Sequence, residues 1–277
     1  MIGDVVPYLR CPVCGLPVAA GDRALRCERG HSFDIAKQGY VNLSAGRAPH
    51  AGDTAEMVAA RDEFLRAGRY GFISAALAAA AREAAPDPGL VVDAGAGTGG
   101  HLGVVLDALP GAVGLALDVS KPALRRAARA HPRAGAALCD TWGRLPVGDH
   151  AAGLLLNVFA PRNGAEFARL LRRDGALLVV TPAADHLAEL VETLGLLRVD
   201  PEKAERVAAS LAGRFTLEGE QTHRRTLRLS HAEVRTLVGM GPSAWHADGD
   251  RLAAGIAALA EPVPVTAAIR LGVYRLS

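Results

Sequence analysis

The feature of this 277-residue chain that most constrains its fold is an apolar run that ends in an acid and continues as alternating glycines. The run spans residues 91–99, with the sequence Val-Val-Asp-Ala-Gly-Ala-Gly-Thr-Gly. Such a run is typical of a buried parallel strand, and the glycines permit a tight turn and the close approach of a ligand. Asp93 stands where the strand should stop, at the edge where open α/β sheets bind their ligands. The pattern therefore predicts an α/β sheet with a ligand site at the carboxyl ends of its strands.

Two classes of ligand fit the glycine turn. Gly95, Gly97 and Gly100 satisfy G-x-G-x-x-G, which dinucleotide-binding folds also carry, so a nicotinamide cofactor is an alternative. However, the turn lies far from the first residue, an acid precedes the first glycine by two places, and residues 171–182 combine a turn with a further apolar run. In these respects the chain resembles class I S-adenosylmethionine-dependent methyltransferases. The resemblance implies a Rossmann-like α/β sheet with S-adenosylmethionine as the cofactor.

Polar residues also close the next predicted strands. Residues 112–118 end in Asp118, whose carboxylate can accept both hydroxyls of a ribose. Residues 136–140 and 152–159 predict a third and a fourth strand. The resemblance places further donor contacts at these strands, namely at Asp140, Thr141 and Asn157. Each acid taken singly has a helix cap or a turn as its alternative, but the set in β–α order favours a binding edge.

Four potential metal ligands lie near the start of the chain. The pattern C-x2-C, a gap of twelve residues and C-x3-H comprises Cys11, Cys14, Cys27 and His31. Zinc prefers four such ligands in a tetrahedron, and this set leaves no open position, so it predicts one structural zinc. Disulfides, redox cysteines and buried thiols are the alternatives. Because the chain has four cysteines and no recognisable secretory signal, we expect no disulfide framework, and we expect Cys139 to be a buried thiol.

The sequence predicts three segments, which are a zinc-binding module over 1–35, a linker loop with helices over 36–89 and a methyl-donor domain over 90–277. In the linker, capping and stop signals predict helices over 53–68 and 72–85. Strands over 226–229 and 265–276 can complete an antiparallel edge of the main sheet. The net charge is only +2 and no apolar run is long enough to span a membrane, so we expect a cytoplasmic protein without a membrane partner.

Several longer strings identify a family resemblance that covers nearly the whole chain. They are residues 11–14, 30–43, 52–61, 117–121, 160–161, 186–190 and 240–245. Through these strings the chain resembles the bacterial 23S ribosomal RNA guanine-N1 methyltransferases, including the tylosin-resistance branch. The resemblance implies methylation of N1 of a guanine in hairpin 35 of 23S rRNA, macrolide resistance as a consequence, and a homodimer whose two halves form one RNA cleft.

The resemblance also implies roles for individual residues. It places zinc at the Cys3His set and methyl-donor contacts at Tyr70, Gly97, Thr98 and His186. An aromatic ring such as that of Tyr70 suits a cationic ligand, because the ring face attracts positive charge. In this interpretation the zinc module and residues 36–66 contact RNA, with Arg61 and Arg66 as candidates for binding phosphate.

Methylation of guanine N1 requires removal of a proton, so a general base near N1 is desirable. The sequence does not single one out, and the candidates on the first linker helix are Asp53, Glu56 and Asp62. Two other functions remain open. A methyltransferase acting on a natural product would explain the core but not the zinc module. A non-catalytic RNA-binding protein with a decayed core would explain the zinc module, but the intact acids and glycines argue against decay.

Overall fold

The N-terminal module is a small antiparallel sheet attached to a short helix. The computed structural model describes residues 2–44, 46, 52–198, 200, 202–241 and 249–277, without the side chains of residues 203 and 204. The module begins with α1 (Ile2–Val5) and a 3-10 turn (Val6–Tyr8), followed by β1 (Val18–Ala20), β2 (Ala24–Cys27) and β3 (Ser32–Asp34). These strands pair in the order β1-β2-β3. Three strands of three or four residues enclose little apolar volume, so this sheet depends on its metal site and on the domain beneath it.

Two helices connect this module to the main sheet. Helix α2 (Ala55–Arg66) begins at Thr54, whose hydroxyl accepts a hydrogen bond from the Met57 amide at 3.3 Å. Helix α3 (Gly71–Ala84) follows after a short turn. Both helices agree with the sequence expectation to within two residues, because caps and stop signals are local.

The main sheet has eight strands in the order β10-β11-β9-β8-β5-β6-β7-β4. The strands are β4 (Tyr40–Asn42), β5 (Leu90–Ala94), β6 (Val113–Asp118), β7 (Ala134–Leu138), β8 (Ala152–Val158), β9 (Leu171–Pro182), β10 (Phe215–Leu229) and β11 (Val263–Leu276). The pairs from β4 to β9 are parallel, whereas β11 pairs antiparallel with both β9 and β10. The sheet is mixed and Rossmann-like, so the predicted α/β fold class is confirmed.

Helices cover both faces of this sheet. They are α4 (Gly100–Ala108), α5 (Lys121–Ala127), α6 (Gly164–Leu170), α7 (Ala188–Leu194), α8 (Lys203–Leu211), α9 (His231–Gly239) and α10 (Gly249–Ala257). The central strands β5 and β8 are buried along their whole length, as expected for parallel strands covered on both faces. Of the helices that the structure describes, none is long and apolar enough to cross a membrane.

The N-terminal module packs against one face of the main sheet. Leu9 and Leu25 are fully buried in the same apolar cluster as Leu115 and Leu117 of β6. Main-chain hydrogen bonds add to this contact, since the Arg10 amide donates to the Pro146 carbonyl at 2.9 Å. Strand β4, which lies in the segment interpreted as a linker, extends the sheet by pairing with β7. The small module and the large sheet therefore share one apolar core.

Candidate active site and metal centre

Three thiols and one imidazole meet at the end of the N-terminal sheet. The ligand atoms of Cys11, Cys14, Cys27 and His31 all lie within 4.8 Å of one another. The Cys14 and Cys27 sulfurs are 3.7 Å apart, and the Cys27 sulfur is 3.2 Å from Nδ1 of His31. A tetrahedral zinc with Zn–S bonds of ~2.3 Å needs ligand atoms about 3.5–4 Å apart, so the four predicted ligands fit this metal.

The main chain shapes both metal knuckles. Gly15 and Gly30 have φ angles of +74° and +81°, and their amides donate to the carbonyls of Cys11 and Cys27. Burial opposes ionisation of Cys27, but hydrogen bonds from the side chain and backbone of His31 lower its pKa to about 6, which favours the thiolate that a metal binds. Cys139 lies apart from this cluster and is 2% exposed, and burial raises the pKa of its thiol. It is a buried thiol, as predicted.

The glycine turn after β5 closes over the end of β6. The amides of Gly95 and Ala96 donate to the Leu117 carbonyl at 2.8 and 3.0 Å. The Gly97 amide donates to Oδ2 of Asp118, and the Ser120 amide donates to Oδ1, each at 2.8 Å. Gly95 and Gly97 adopt φ angles of +84° and +55°, which other residues rarely adopt. The turn thus brings the predicted ribose-binding carboxylate directly beside the glycines.

One buried and one partly exposed carboxyl group lie under this turn. Asp93 is 2% exposed, and its Oδ1 has no hydrogen-bond partner among the described residues. Burial, reinforced by the charge of Asp118, raises the pKa of Asp93 to about 8, and burial also raises the pKa of Asp118. A buried, unpartnered carboxyl oxygen is costly unless a ligand satisfies or neutralises it. The pair is therefore suited to a ligand that carries positive charge and hydroxyl groups.

Three aromatic side chains pack side by side at the carboxyl ends of β8 and β9. The rings of Tyr70 and His186 have centroids 6.2 Å apart, and the rings of Phe159 and His186 are 6.0 Å apart. Tyr70 is 4% exposed, and its hydroxyl lies 3.4 Å from Nε2 of His186. The Ala268 amide donates to Nδ1 of His186 at 3.2 Å, so in the neutral imidazole the proton lies on Nε2. His186 can therefore donate a hydrogen bond toward Tyr70 but is not available as a base in this tautomer.

The remaining predicted donor contacts lie on the same edge of the sheet. Asn157 is fully buried, and its amide nitrogen donates to the carbonyls of Ala94 at 3.1 Å and Pro161 at 2.8 Å. Its amide therefore ties the end of β5 to the turn after β8. Thr98 and Thr141 are buried, and Asp140 follows β7, where its carboxylate accepts the Trp142 amide at 3.0 Å.

The two arginines predicted to contact RNA lie in different surroundings. Arg61 lies beside the glycine turn, where it pairs with Asp53 and donates to the Met240 carbonyl at 2.8 Å. One of its terminal nitrogens lies 3.5 Å from the point where a Cβ on Gly97 would stand. Arg66, by contrast, has a side chain 78% exposed and pairs with Asp62 at 3.2 Å. The geometry brings Arg61 to the glycine turn and leaves Arg66 at the surface.

The three candidate bases also lie in different surroundings. Asp53 forms the ion pair with Arg61, and its carbonyl accepts the Ser120 hydroxyl at 2.8 Å, so it lies closest to the glycine turn. Hydrogen bonds to its own backbone amide and to Thr54 lower the pKa of Glu56 at the start of α2. Asp62 pairs with Arg66 and with Arg126 of α5, in the groove between α2 and α5.

Comparisons with known proteins concern both the module and the whole chain. A family model of a zinc ribbon, described as RlmA, N-terminal, matches residues 9–44. A protein of Micromonospora griseorubida named as a 23S rRNA (guanine-N1) methyltransferase is 67% identical over 290 residues, covering 98% of each chain. The 23S rRNA (guanine(748)-N1)-methyltransferase of Streptomyces fradiae is 53% identical over 274 residues, also covering 98% of each chain. This chain belongs to the 23S rRNA guanine-N1 methyltransferase family.

A more distant relative, from Bacillus subtilis strain 168, bears the same guanine-N1 methyltransferase name. It is 31% identical over 259 residues, covering 88% of this chain and 89% of the relative. For this methyltransferase the cofactor is S-adenosylmethionine, and the zinc ribbon holds the predicted structural metal site. The orphaned oxygen of Asp93 and the carboxylate of Asp118 fit such a donor, which carries a sulfonium, an ammonium and two ribose hydroxyls.

Two features of the methyltransferase were not predicted from the sequence. Phe159 is 42% exposed, and its φ angle of +51° is unusual for a bulky side chain. A groove of about 490 Å³ between α2 and α5 is lined by Tyr70, Thr98 and four arginines, which are Arg66, Arg125, Arg126 and Arg129. Arg125, Arg126 and Arg129 are neighbours in the sequence, but their position opposite Arg66 depends on how the helices pack. The Pro242–Trp245 part of the family-like string lies outside the described residues.

Proposed function

We propose that this protein transfers a methyl group from S-adenosylmethionine to N1 of a guanine in hairpin 35 of 23S rRNA. The observation that carries the proposal is full-length similarity to the S. fradiae enzyme, whose name specifies N1 of guanine 748. The combination of a zinc ribbon and a methyl-donor edge in one shared core supports it, since a small-molecule methyltransferase would not need the ribbon.

The bound donor supplies an electrophilic methyl group on a sulfonium. In the proposal, Asp118 accepts the ribose hydroxyls, while Gly95 and Gly97 let the main chain approach the donor closely. Asp140 and Thr141 would contact the adenine, and Asn157 holds the end of β5 against the turn after β8. Tyr70, Thr98 and His186 complete the proposed donor contacts. The enzyme's main contribution is to orient donor and acceptor for an in-line displacement.

Guanine N1 carries a proton that must be removed, and the target base must be unstacked or lie in a loop to enter the pocket. Asp53 is the candidate base that lies nearest the glycine turn, but its ion pair with Arg61 must loosen before it can accept a proton. We propose that the arginine-lined groove carries the RNA backbone, with Arg66 on one side and Arg125, Arg126 and Arg129 on the other. For Arg61, contact with phosphate stays a prediction.

Further parts of the proposal concern the cell and the assembly. A methyl group at N1 adds bulk beside the peptide exit tunnel and would crowd a macrolide sugar, so we expect resistance to tylosin-type drugs. Ribosomal RNA is the substrate, so we expect the protein to act in the cytoplasm. We also propose a homodimer, with the zinc module (1–35) and the linker (36–89) of each copy facing the RNA and the donor domain (90–277) beneath them.

The proposal is tested by offering different acceptors to the purified protein. Protein and radiolabelled S-adenosylmethionine are incubated with a hairpin 35 RNA, with the same hairpin carrying inosine in place of other guanines, and with macrolide precursors. Label in 1-methylguanosine at one position of the hairpin is the expected result. Label in a small molecule alone, or donor binding without any RNA methylation, would contradict the proposal.

A further inference from the structure

The turn after β8 holds an aromatic ring at the edge of the donor cleft. Phe159 follows the last residue of β8, and its amide donates to the Val180 carbonyl of β9 at 3.1 Å. The next residue, Ala160, packs so closely against Gly95 that a Cβ on that glycine would overlap the Ala160 methyl group. The backbone that carries Phe159 is therefore locked between the glycine turn and the neighbouring strand.

The conformation of Phe159 is unfavourable by itself. Its φ of +51° lies in the left-handed region, which is strained for a bulky L-residue. The residue is nevertheless 42% exposed, so part of the ring is left uncovered at the surface of the site. The two hydrogen bonds from the Asn157 amide, to Ala94 and Pro161, hold the turn on either side. Strain maintained by surrounding contacts is typical of functional sites.

The neighbours of Phe159 define what the ring can contact. Its ring is tilted by 36° from that of His186, and His186 lies between it and Tyr70. Within the described part of the chain, the other exposed aromatic at this edge is Trp142, which follows Asp140 after β7 and whose carbonyl accepts the Asn163 side-chain amide at 2.8 Å. Among the described residues, Phe159 is thus the exposed ring at the end of β8, and Trp142 stands after β7 beside the proposed adenine contacts.

We propose that Phe159 is the platform on which the flipped target guanine stacks. Flipped or single-stranded bases are commonly held by stacking on aromatic side chains, which every base tolerates because every base has a π-face. A ring fixed by its backbone holds the plane of the guanine, and with it N1, in a constant position relative to the glycine turn. This inference rests on the proposed function, and it adds a residue that contacts the acceptor.

Kinetics of four variants separate stacking from packing. In Phe159→Ala and Phe159→Leu we expect kcat/KM for the hairpin to fall about 10- to 100-fold, because the stacking surface is lost. Leucine keeps the apolar bulk, so a packing role would leave Phe159→Leu near wild type. Phe159→Tyr and Phe159→Trp keep a ring, and we expect each to retain activity within about threefold. Affinity for S-adenosylmethionine, measured by calorimetry, should change by less than about twofold in all four.

Photocrosslinking locates the base directly. The hairpin is made with 6-thioguanosine at the target position, bound to the wild-type protein with S-adenosylhomocysteine, and irradiated at long wavelength. We expect the crosslink in the tryptic peptide 145–162, at Phe159. A crosslink in peptide 134–144, which contains Trp142, or full activity of Phe159→Leu, would overturn the inference and leave the proposed function intact. A wild-type protein that methylates no guanine would overturn both.

Discussion

At the scale of single residues, the site depends on two carboxyl groups in contrasting surroundings. Asp118 accepts two main-chain amides and retains lone pairs that can accept a ligand. Asp93 is more deeply enclosed, with one oxygen unpartnered among the described residues and a pKa raised to about 8 by burial and by Asp118. Removing Asp118 should therefore lower the affinity for the donor, whereas removing Asp93 should change how that affinity depends on pH.

Replacing Asp118 by alanine should weaken donor binding without unfolding the protein. Loss of hydrogen bonds from the ribose hydroxyls to a charged acceptor should cost about 1.5–3 kcal/mol of binding free energy. Titration calorimetry with S-adenosylmethionine measures this change directly. Asp107→Ala is the matched control, since that carboxylate is 74% exposed and pairs with His131 on the outer side of α4. Equal affinities of wild type and Asp118→Ala would remove Asp118 from the donor site.

The raised pKa of Asp93 predicts that donor binding releases a proton near pH 7. With its pKa raised to about 8, the free carboxyl group is mostly protonated there, and a cationic donor favours the ionised form. Affinity should therefore rise with pH up to about 8, and calorimetry in buffers of different ionisation enthalpy should detect up to about one proton released. In Asp93→Asn both effects should vanish. Identical binding enthalpies for the wild type in phosphate and Tris would contradict this prediction.

The raised pKa of Asp93 also affects the stability of the protein in the absence of donor. The folded state keeps a proton on Asp93 that the unfolded chain releases near its usual pKa of 3.8. This group's contribution to the free energy of unfolding is therefore complete below about pH 4 and is lost as the pH rises through about 8. Urea unfolding of the wild type and Asp93→Asn, compared at pH 5 and pH 8, isolates the contribution.

At the scale of elements, the glycine turn and the turn after β8 determine each other's positions. Gly95 has a φ of +84° and lies against the methyl group of Ala160, so these two turns fit together only without a side chain at position 95. The side-chain amide of Asn157 stabilises this contact by donating a hydrogen bond to the Ala94 carbonyl at the end of β5. This arrangement couples the donor turn to the backbone that carries Phe159.

Gly95→Ala should lower the free energy of unfolding by about 2–4 kcal/mol, from the left-handed backbone and from overpacking against Ala160. The double variant Gly95→Ala/Ala160→Gly should regain the overpacking part, about 1–3 kcal/mol, but not the backbone part. Denaturant unfolding of the wild type, both single variants and the double variant measures this cycle. Additive effects of the two substitutions would show that the turns are not coupled.

What the sequence could predict at this scale follows from what is local. Strand β5, the glycine turn and helix α2 carry local signals, which are apolar runs, glycines and a Thr54 cap, and these predictions agree with the structure. Strand β4 has three residues, and its pairing with β7 brings together residues nearly a hundred positions apart, so no local pattern marks it. The strain at Phe159 likewise depends on contacts with β5 and β9 that its own neighbours in sequence do not indicate.

At the scale of the whole molecule, the zinc module is part of the same core as the donor sheet. Cys11 and Cys27 are buried in the cluster that contains Leu115, Leu117 and Val147. Loss of the metal would therefore disturb residues that support β6, and with them the position of Asp118. The predicted segments 1–35, 36–89 and 90–277 differ in their sequence motifs, but residues of all three belong to the same apolar cluster.

Removal of zinc should destabilise the protein as a unit. Cys27→Ser should lose the metal and lower the free energy of unfolding by at least about 3 kcal/mol, or roughly 6–12 °C in Tm for a domain of this size. Cys139→Ala, which lies outside the metal cluster, should keep one zinc per chain. Metal analysis and calorimetric melting check both variants. A separate low-temperature transition, with the main transition unchanged, would contradict the shared core.

The central claim is that this protein methylates N1 of one guanine in 23S rRNA, and primer extension on cellular RNA tests it most directly. RNA is taken from cells that produce the wild-type protein, the Asp118→Ala variant or no protein. A methyl group at N1 blocks Watson–Crick pairing, so reverse transcriptase should stop one nucleotide before the target guanine of hairpin 35 with the wild type alone. Absence of that stop when the folded, donor-binding protein is present, or a stop only elsewhere in the RNA, would contradict the account.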